Sequence, residues 1–523
     1  MSPGRVLLVG YEDQDNLGLR YLASRLAADG HEVRIARFGA DPAPLVAEVG
    51  AWRPTVVGFS LIFQFMTHSY ATVIRAVRAT GVPLHLTVGG HYPSFSPDVM
   101  FELVPELDSV VRFEGEETLA ELVGHLQAGR EWRASAGIAW SDGARVHTTA
   151  PRGTPVDLDA LPWPDRADLD YRAQSMPTAS VLASRGCPWK CSFCSIITFY
   201  EQNGTRGRRR RDPVRVVDEL EHLVRDRGVR LVLFQDDDFL AGGRAALEWA
   251  TAIATDIRGR GLHERMRFKL SCRSDEVRAD VLAPLVAAGL AHVYLGVESG
   301  DPGALKDLNK HITPDVHLRA GEVLRSLGLA FDFGFMLLQP WSTLASVANN
   351  VTFLRRFCRD GYAVAGFCRT LPYVGTPMEK KMRDEGRLVG HALEADYQFL
   401  DPRLDALWDF SLAAFDGRNT GRAATWNVLR TLQFEARLDF PDRPRDPSFV
   451  AAVQSIVDAS NQLMFDVLDD ALAILEDAEV PDARHPDLVE LARAARAGDL
   501  ALRQDLTALW SVRPPSVGQE LFR

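Results

Sequence analysis

Short apolar runs alternate with helical patterns over the first quarter of the chain. Five runs rich in β-branched residues and bounded by glycine or charge predict strands within residues 5–125, at RVLLVG, EVRIAR, TVVGFSL, LHLTVGG and SVVRFEG. Between them, LGLRYLASRLAADG and YATVIRAVRATG carry apolar residues at helical spacing and end on glycine, a common helix C-cap. This alternation predicts a parallel α/β sheet that binds its ligand at the carboxyl ends of the strands.

A second alternating region follows from about residue 179 to residue 390. Its six predicted strands lie in TASVLAS, VRLVLFQ, RFKLSC, HVYLGVE, AFDFGFML and AVAGFCRT. Six βα units predict a separate α/β domain with barrel-like closure, a partial (β/α)6 barrel. We therefore expect a Rossmann-like domain at 1–126, a linker at 127–178 containing a hairpin in SAGIAWSDGARVH, the barrel at 179–390 and a helical domain at 391–523.

Composition narrows the functional classes. The chain has 523 residues, is 46% hydrophobic and carries a net charge of −11, which argues against a broad nucleic-acid surface. Nowhere do eighteen apolar residues run together, so no membrane span is expected, and MSPGRVLLVGY indicates a first strand rather than a signal peptide. These features predict a cytoplasmic protein.

One basic run, RGRRRR at 206–211, departs from this acidic balance. We expect it to be a solvated loop before a helix. Clamping of an anionic cofactor or substrate is the second interpretation, and nucleic-acid binding is the least favoured.

Three of the six cysteines fall within SRGCPWKCSFCS, at Cys187, Cys191 and Cys194. A structural zinc site would normally use four ligands, and no fourth cysteine or histidine lies close by in sequence. A disulfide would leave one thiol over. Three thiolates can instead hold a [4Fe–4S] cluster and leave one iron open to a small molecule. Of the other cysteines, Cys358 and Cys368 are expected to be core thiols.

The spacing C-x3-C-x-aromatic-C, completed by Phe193, resembles the signature of the radical S-adenosylmethionine (SAM) enzymes. The resemblance implies that the open iron binds the amino and carboxylate groups of SAM. Reductive cleavage of SAM then gives a 5′-deoxyadenosyl radical. An external one-electron reductant, of the flavodoxin or ferredoxin type, is implied as a partner.

Later segments resemble the same family from about residue 180 to residue 390. They are LFQDDDFL, SCRSDEV, LGVESGDPGALKDLNK and LPYVGTPMEKKMRDEGRL, whereas LLQPWSTLAS departs from the usual fifth-strand segment at Gln339 and Trp341. The resemblance implies a SAM site formed by Phe193, Asp236, Asp237, Arg273, Glu298, Ser299 and Pro372.

Residues 5–125 resemble the cobalamin (B12)-binding domain that precedes the barrel in one large subfamily. The matching segments are VVGFSLIF, VGGHYPSF and VVRFEGEETLAEL. The implied cobalamin site consists of Asp13, Asp15, Asn16, Gly18, Ser60, Gly89, Gly90, His91, Glu114, Gly115 and Glu116.

Many B12 proteins carry D-x-H-x-x-G after the first strand, and the histidine is the lower ligand of cobalt. In DQDNLG, Asp13 and Gly18 keep this spacing, but Asp15 stands at the histidine position. A carboxylate is a harder donor than imidazole and binds low-valent cobalt more weakly. We therefore expect cobalamin without a histidine lower ligand, five-coordinate or water-ligated.

Together these resemblances imply a cobalamin-dependent radical SAM enzyme. The favoured activity is methylation of an unactivated carbon of a small natural-product substrate, by a 5′-deoxyadenosyl radical and methylcobalamin. The alternative is a cyclisation, rearrangement or oxidation with the same cofactors. A cobalamin sensor with a degenerate barrel is disfavoured because the cluster cysteines and the fourth-strand segment are intact.

Overall fold

The computed structural model describes residues 3–12, 15–153, 156–390, 393–421, 423–478, 480–512 and 516. Asp13, one of the predicted cobalamin residues, lies outside them. The N-terminal domain contains seven strands, β1 (Arg5–Gly10), β2 (Glu32–Arg37), β3 (Val56–Ser60), β4 (His85–Gly89), β5 (Ser109–Val111), β6 (Ile138–Ser141) and β7 (Val146–Thr148). Six helices accompany them, α1 (Leu17–Ala28), α2 (Ala43–Trp52), α3 (Thr67–Arg78), α4 (His91–Phe95), α5 (Pro97–Leu103) and α6 (Glu116–Gln127).

These strands form one sheet in the order β2-β1-β3-β4-β5-β6-β7. All five predicted strands are present and pair in parallel, and β1 is buried along Val6–Val9 because helices cover both faces of the sheet. The predicted hairpin also forms, as β6 and β7. It extends this sheet, because β6 pairs antiparallel with β5, whereas the sequence had placed it within the linker.

The second domain is built around the strands β8 (Thr178–Val181), β11 (Leu231–Phe234), β12 (Arg267–Arg273), β13 (Leu290–Glu298), β14 (Ala330–Leu338) and β15 (Cys368–Arg369). All pairs are parallel and the order is β15-β14-β13-β12-β11-β8, so each of the six predicted βα strands is confirmed.

Two short pairs complete the strands, β9 (Ser184–Arg185) with β10 (Arg209–Arg210) and β16 (Leu388–Val389) with β17 (Asp396–Tyr397). The accompanying helices are α7 (Ile196–Gln202), α8 (Pro213–Arg225), α9 (Arg244–Gly259), α10 (Ala279–Ala287), α11 (Pro302–Asp307), α12 (Pro314–Ser326), α13 (Leu344–Phe357) and α14 (Pro377–Asp384).

Successive side chains of β12 point to opposite faces of the curved sheet. Phe268, Leu270 and Cys272 pack in the main hydrophobic core. Lys269 and Ser271 face the concave side and line a cavity there. The concave lumen therefore receives polar side chains from a strand whose other face is buried under helices.

The described part of the C-terminal region contains four helices, α15 (Pro402–Asn419), α16 (Thr425–Arg437), α17 (Pro447–Asp477) and α18 (Pro486–Val512). Helix α16 closes the amino-terminal end of the barrel, where Phe434 and Leu438 pack on Leu231 and Ala330 at the first positions of β11 and β14. No helix in the described ranges is long and apolar enough to cross a membrane.

Candidate functional site

The three predicted cluster cysteines lie on the loop between β9 and α7, and neighbouring segments brace that loop. The amide of Ser192 donates to the carbonyl of Leu308 at 3.0 Å, and the carbonyl of Ser192 accepts from the amide of Met378 at 2.8 Å. Asn309 donates from its side chain to the carbonyl of Lys190. The backbone around the cysteines is therefore fixed by segments that follow β13 and β15.

The donor set of this loop fits an iron–sulfur cluster. Burial raises the pKa of the Cys187 and Cys191 thiols above the usual range, and it raises the pKa of the Cys194 thiol to about 12. Stable thiolates here therefore require a cationic partner such as iron. The guanidinium of Arg273 lies 3.8 Å from the Cys191 sulfur. No group of His, Cys, Asp or Glu within the described ranges converges on a single ion. A cluster does not need such convergence, because each thiolate binds a different iron.

The predicted SAM residues Asp236 and Asp237 follow β11 and face the cysteine loop. Asp237 accepts a hydrogen bond from the amide of Gly186 at 2.8 Å. Asp236 accepts from the Ser184 hydroxyl and from the amide of Ala183, so its contacts are structural. Desolvation raises the pKa of both carboxyls to about 6.

The next predicted SAM residues lie at the end of β13. Glu298 adopts a φ of 70°, a strained conformation for a residue with a side chain, and its carboxylate lies 3.7 Å from the Lys310 ammonium. The Ser299 hydroxyl is buried and donates to Asn350 at 2.9 Å. Contact of these two residues with SAM remains a prediction, and the hydroxyl of Ser299 already has a protein partner.

The remaining SAM candidates lie at the edges of the site. Phe193 is half-buried against the main core, and the carbonyl of Pro372 accepts from the Gln64 amide of the N-terminal domain at 3.5 Å. Gln64 also accepts from the amide of Val374 at 2.9 Å. One glutamine therefore joins the predicted sixth-strand SAM segment to the N-terminal domain.

A cavity of about 630 Å³ lies between the two α/β domains. It is lined by every predicted cobalamin residue that the structure describes, which are Asp15, Asn16, Gly18, Ser60, Gly89, Gly90, His91, Glu114, Gly115 and Glu116. Leu182, Arg185, Phe199, Tyr200, Gln235 and Asp237 of the second domain form the opposite wall. The structure thus gathers these predicted residues around one space that faces the barrel.

This cavity fits a large ligand. At Gly90, with a φ of 113°, a Cβ atom would collide with the Leu61 carbonyl, so a side chain is excluded where the fourth-strand loop meets the cavity. His91 stacks on Phe199 with ring centroids 4.3 Å apart, and its Nε2 atom is buried without a partner in the described structure. An unsatisfied buried nitrogen beside an open cavity favours a polar ligand. Burial lowers the pKa of His91 to about 4 and holds it neutral.

Asp15, at the position where many B12 proteins have histidine, is bound by the protein itself. Its carboxylate accepts from the Tyr171 hydroxyl at 2.7 Å and from the amide of Ser180 at 3.1 Å. The Arg166 guanidinium lies 3.8 Å away. Asp15 therefore bonds the loop after β1 to Tyr171 and to the first barrel strand, β8. The sequence did not indicate this role.

The predicted cobalamin residues Glu114 and Glu116 also make contacts between domains. Arg185, two residues before Cys187, donates to Glu114 at 2.9 Å and to Glu116 at 2.6 Å, and Arg209 donates to Glu114 at 2.6 Å. All four side chains are largely buried. Their charges pair across the domain boundary, next to the cysteine loop.

The structure corrects our expectation for the basic run 206–211. Arg208 donates to the carbonyls of Phe239 and Ala241, and Arg211 pairs with buried Glu219 at 2.6 Å. The run is not a solvated loop, because several of its arginines satisfy buried carbonyl and carboxylate oxygens of the protein.

A second cavity, of about 440 Å³, lies in the barrel lumen. Its polar lining includes Gln235, Lys269, Ser271, Tyr294, Asn419 and Arg430, and its aromatic lining includes Trp426. The sequence did not identify these residues as a site, although the alternation in RFKLSC was a usable signal. Cys368, expected to be a core thiol, also lines this lumen. Gln235 lines both cavities.

The sequence and fold agree with one family. Residues 6–123 match the B12 binding domain family, and residues 181–349 match the Radical SAM superfamily. The chain is 30% identical over 366 residues to an uncharacterized methyltransferase of Pyrococcus horikoshii, covering 69% of this chain and 76% of that protein. The chain therefore belongs to the radical SAM enzymes that carry an N-terminal B12-binding domain.

Two further proteins are similar to it. An anaerobic magnesium-protoporphyrin IX monomethyl ester cyclase of Cereibacter sphaeroides is 28% identical over 332 residues, covering 61% of this chain and 52% of the cyclase. The fold resembles that of the cobalamin-dependent SAM radical enzyme OxsB, solved with aqua-cobalamin and SAM bound. The TM-score is 0.73 at 17% identity, covering 97% of this chain and 80% of OxsB. The predicted family and fold class are confirmed.

Proposed function

We propose that this radical SAM enzyme transfers a methyl group to an unactivated carbon of a small molecule held in the barrel lumen. The observation that carries the proposal is the position of Gln235, which lines both the lumen and the cavity between the domains. The two spaces adjoin just beyond β11, where Asp237 meets the cysteine loop. A substrate carbon at this junction would face both cofactor sites, as transfer between bound groups requires.

Three sites would hold the cofactors in this proposal. Cys187, Cys191 and Cys194 would bind a [4Fe–4S] cluster, Asp237 and Glu298 would contact SAM, and the cavity between the domains would hold cobalamin. When bound, the cluster with SAM supplies a hydrogen-abstracting radical, and cobalamin supplies the methyl group. The first loop would supply no lower ligand, because Asp15 stands at the histidine position and its side chain is engaged by Tyr171 and Ser180.

The protein contributes alignment and exclusion of water. The buried pairs of Arg185 with Glu114 and Glu116 join the wall of the cavity between the domains to the segment that precedes the cysteine loop. Phe113, Phe199 and Tyr200 pack edge-to-face and form an apolar part of the cavity wall. A shielded site favours reaction of a radical with the bound substrate over reaction with solvent.

The alternative reaction keeps the same sites but ends in ring closure, rearrangement or oxidation. Relatives with both kinds of name support both outcomes: the methyltransferase of Pyrococcus horikoshii and the cyclase of Cereibacter sphaeroides. The chain spans about half of the cyclase and three quarters of the methyltransferase, which favours methyl transfer. The proposal includes a reductant of the flavodoxin or ferredoxin type, because reductive cleavage of SAM requires one electron. It also includes a reducing cytoplasm, which is supported by the six cysteines, none of which forms a disulfide in the described structure.

The test separates these outcomes by their co-products. Reconstituted enzyme is reduced without oxygen and given SAM with a deuterated methyl group and a panel of candidate small molecules. Methyl transfer predicts S-adenosylhomocysteine and 5′-deoxyadenosine together, and a product heavier by a labelled methyl group. 5′-Deoxyadenosine and a new product without S-adenosylhomocysteine would contradict methyl transfer and support the alternative. A Cys194→Ala variant is the control and is expected to give neither co-product.

A further inference from the structure

The exposed lysines of this chain all lie on the cysteine loop or on two helices beside it. The sequence has six lysines, at positions 190, 269, 306, 310, 380 and 381, among its 59 lysine and arginine residues. Lys269 lines the barrel lumen, and Lys310 is buried. The other four are exposed, namely Lys190 in the cysteine loop, Lys306 on α11, and Lys380 and Lys381 on α14. Elsewhere on the described surface, the basic side chains are those of arginine and histidine.

Hydrogen bonds join the three segments that carry these lysines. The Ser192 hydroxyl donates to the carbonyl of Asp307 at 2.8 Å, at the end of α11. The Ser192 carbonyl accepts from the amide of Met378 at 2.8 Å, in the first turn of α14. Because Ser192 directly follows Cys191, both helices contact the cysteine loop itself. Residues 188–190, α11 and α14 therefore adjoin, and we call them the lysine face.

Few carboxylates offset these lysines. Residues 187–195, 302–311 and 377–387, which contain the lysine face, include four acidic residues. Three of the four already pair with a cation of α14 or of the turn after it: Glu379 with Arg383, Asp384 with Lys380 and Glu385 with Arg387. The fourth is Asp307. Among the described residues, the ammonium groups of Lys190, Lys306 and Lys381 pair with no carboxylate. The lysine face is therefore positive, on a chain whose net charge is −11.

The cluster cysteines lie just beneath the lysine face. Pro188 and Lys190 are exposed and Trp189 is half-buried, whereas Cys191, the next residue, is buried. Asp237, a predicted SAM residue, bonds to the interior side of the same loop. Because electron transfer slows steeply with distance, residues 188–190 offer a short route from solvent to a cluster held by these cysteines.

We propose that the lysine face is the docking site of a small acidic one-electron carrier protein, whose carboxylates contact Lys190, Lys306 and Lys381. This inference rests on the proposed function, since it assigns a position to the reductant that cleavage of SAM requires. On docking, the carrier loses one electron and the bound cluster gains it, and no proton or group is transferred. Flexible, strongly hydrated ammonium groups suit a weak complex that dissociates after each transfer.

The charge of the whole chain favours a small protein over an extended polyanion. A nucleic acid or an anionic membrane would also meet the acidic remainder of the surface, which carries the net charge of −11. A small carrier would cover the lysine face alone. Opposite charges on the two proteins would also steer the carrier to the side where the cysteines come closest to solvent.

Reduction kinetics of the reconstituted holoenzyme test the docking face without substrate. Reduced flavodoxin and reduced [2Fe–2S] ferredoxin, both acidic, are each mixed anaerobically with the oxidised enzyme, and the reduced cluster is counted by EPR in rapidly frozen samples. At low ionic strength, we expect Lys190→Gln/Lys306→Gln/Lys381→Gln to slow reduction by the faster carrier about tenfold or more. The methyl viologen radical, a small cation, should reduce this variant at least as fast as the wild type. Reduction of the variant by both carriers at the wild-type rate would overturn the proposal, as would reduction of the wild type by viologen but by neither carrier.

Matched variants assign the effect to the lysine face. Arginine at the same three positions keeps the charge and should keep the carrier's rate within about twofold. Arg244→Gln/Arg484→Gln/Arg493→Gln removes the same total charge from exposed side chains elsewhere and should also stay within about twofold. An equal loss in this control would show an effect of net charge alone and would overturn the proposal.

Salt and a smaller variant guard against a defect in the cysteine loop. Added salt should slow the wild type towards the rate of the triple variant, because it screens exposed charges. Lys306→Gln/Lys381→Gln leaves the loop sequence intact, should keep the iron content of the wild type, and is expected to give an intermediate rate. A wild-type rate in this double variant, or a wild-type rate that does not fall with salt, would contradict the docking face.

The outcome is separable from that of the proposed function. Formation of S-adenosylhomocysteine and 5′-deoxyadenosine with viologen as the reductant tests methyl transfer without any carrier protein. These products, with no slower carrier rate in the triple variant, overturn only the docking face. A slower carrier rate in that variant, with no S-adenosylhomocysteine from the wild type, overturns methyl transfer and leaves the docking face standing.

Discussion

Arg185 of the barrel domain donates to Glu116 of the B12-binding domain at 2.6 Å, two residues before the first cluster cysteine. Both side chains are buried, and the same arginine also pairs with Glu114. One guanidinium therefore links the loop that carries the cluster cysteines to the wall of the cavity between the domains.

Replacement of Arg185 by methionine is expected to destabilise the protein by about 3 kcal/mol, because it leaves buried carboxylates without their partner. Chemical unfolding of the single and double variants measures this. The double variant Arg185→Met/Glu116→Gln is expected to lose less stability than the two single changes added together. Strict additivity would show that the pair is not coupled in the folded protein.

Gly186→Ala is expected to abolish iron binding. Gly186 has a φ of 88°, and a Cβ atom there would collide with the carbonyl of Gly207 next to the cysteine loop. Gly207→Ala is the matched control, since its φ is 75° but its Cβ would meet no atom within 4 Å. The control should cost about 1 kcal/mol and keep its iron. Iron analysis after reconstitution compares them, and equal contents would refute the steric argument.

Gly90→Ala is expected to impair cobalamin binding and to leave the iron content unchanged. The added methyl group would collide with Leu61 and displace the loop that bears His91. Gly81→Ala, at a φ of 68° with open space around it, serves as the control. The absorption spectrum of bound cobalamin reports occupancy. Full occupancy in the Gly90 variant would place the cobalamin elsewhere.

Asp15 stands at the position where many B12 proteins have the histidine ligand. Its carboxylate is engaged by Tyr171 and Ser180, so neither a histidine nor this carboxylate is available to cobalt from the first loop. We expect the EPR spectrum of bound cob(II)alamin to be unchanged when the protein is labelled with ¹⁵N-histidine. An altered nitrogen splitting would identify a histidine ligand, and repeating the measurement on His91→Gln would show whether that ligand is His91.

Two buried histidines predict loss of stability in acid. Burial lowers the pKa of His292 to about 4 and that of His317 to about 3, and the charges of Lys310 and Arg273 add to the shift at His317. The unfolded chain takes up these protons below about pH 6.5 and the folded chain does not, so stability falls as pH decreases from there.

Unfolding free energies between pH 6.5 and 5 measure this effect. His317→Gln should reduce the slope by up to about 1.4 kcal/mol per pH unit. Equal slopes in wild type and His317→Gln would contradict the prediction.

Much of the fold was predictable because its signals are local. The strands of both α/β domains follow from largely apolar segments of six to eight residues, most of them bounded by glycine or charge, and the structure has all eleven that were predicted. Placement of the hairpin at β6 and β7 was not predictable in this way. Its pairing with β5 depends on long-range register rather than on local pattern.

In the site, too, local motifs were predictable and contacts between distant segments were not. Motif spacing identified the cysteines and the loops that line the cavity between the domains. It did not show that Asp15, Glu114 and Glu116 bond to the protein, since their partners lie about 70 to 165 residues away. Trp426 and Arg430 were missed because a helix that follows the barrel carries them back into its lumen.

The presence of both cofactors and of radical chemistry is tested most directly by a paired measurement on anaerobically reconstituted protein. We expect about four iron atoms per chain for the cluster. We also expect one cobalt per chain and 5′-deoxyadenosine from SAM on reduction, with the nucleoside and the iron both lost in Cys191→Ala. Cobalt binding with no 5′-deoxyadenosine from the fully loaded wild-type protein under any reductant would contradict the assignment of this chain as a cobalamin-dependent radical SAM enzyme.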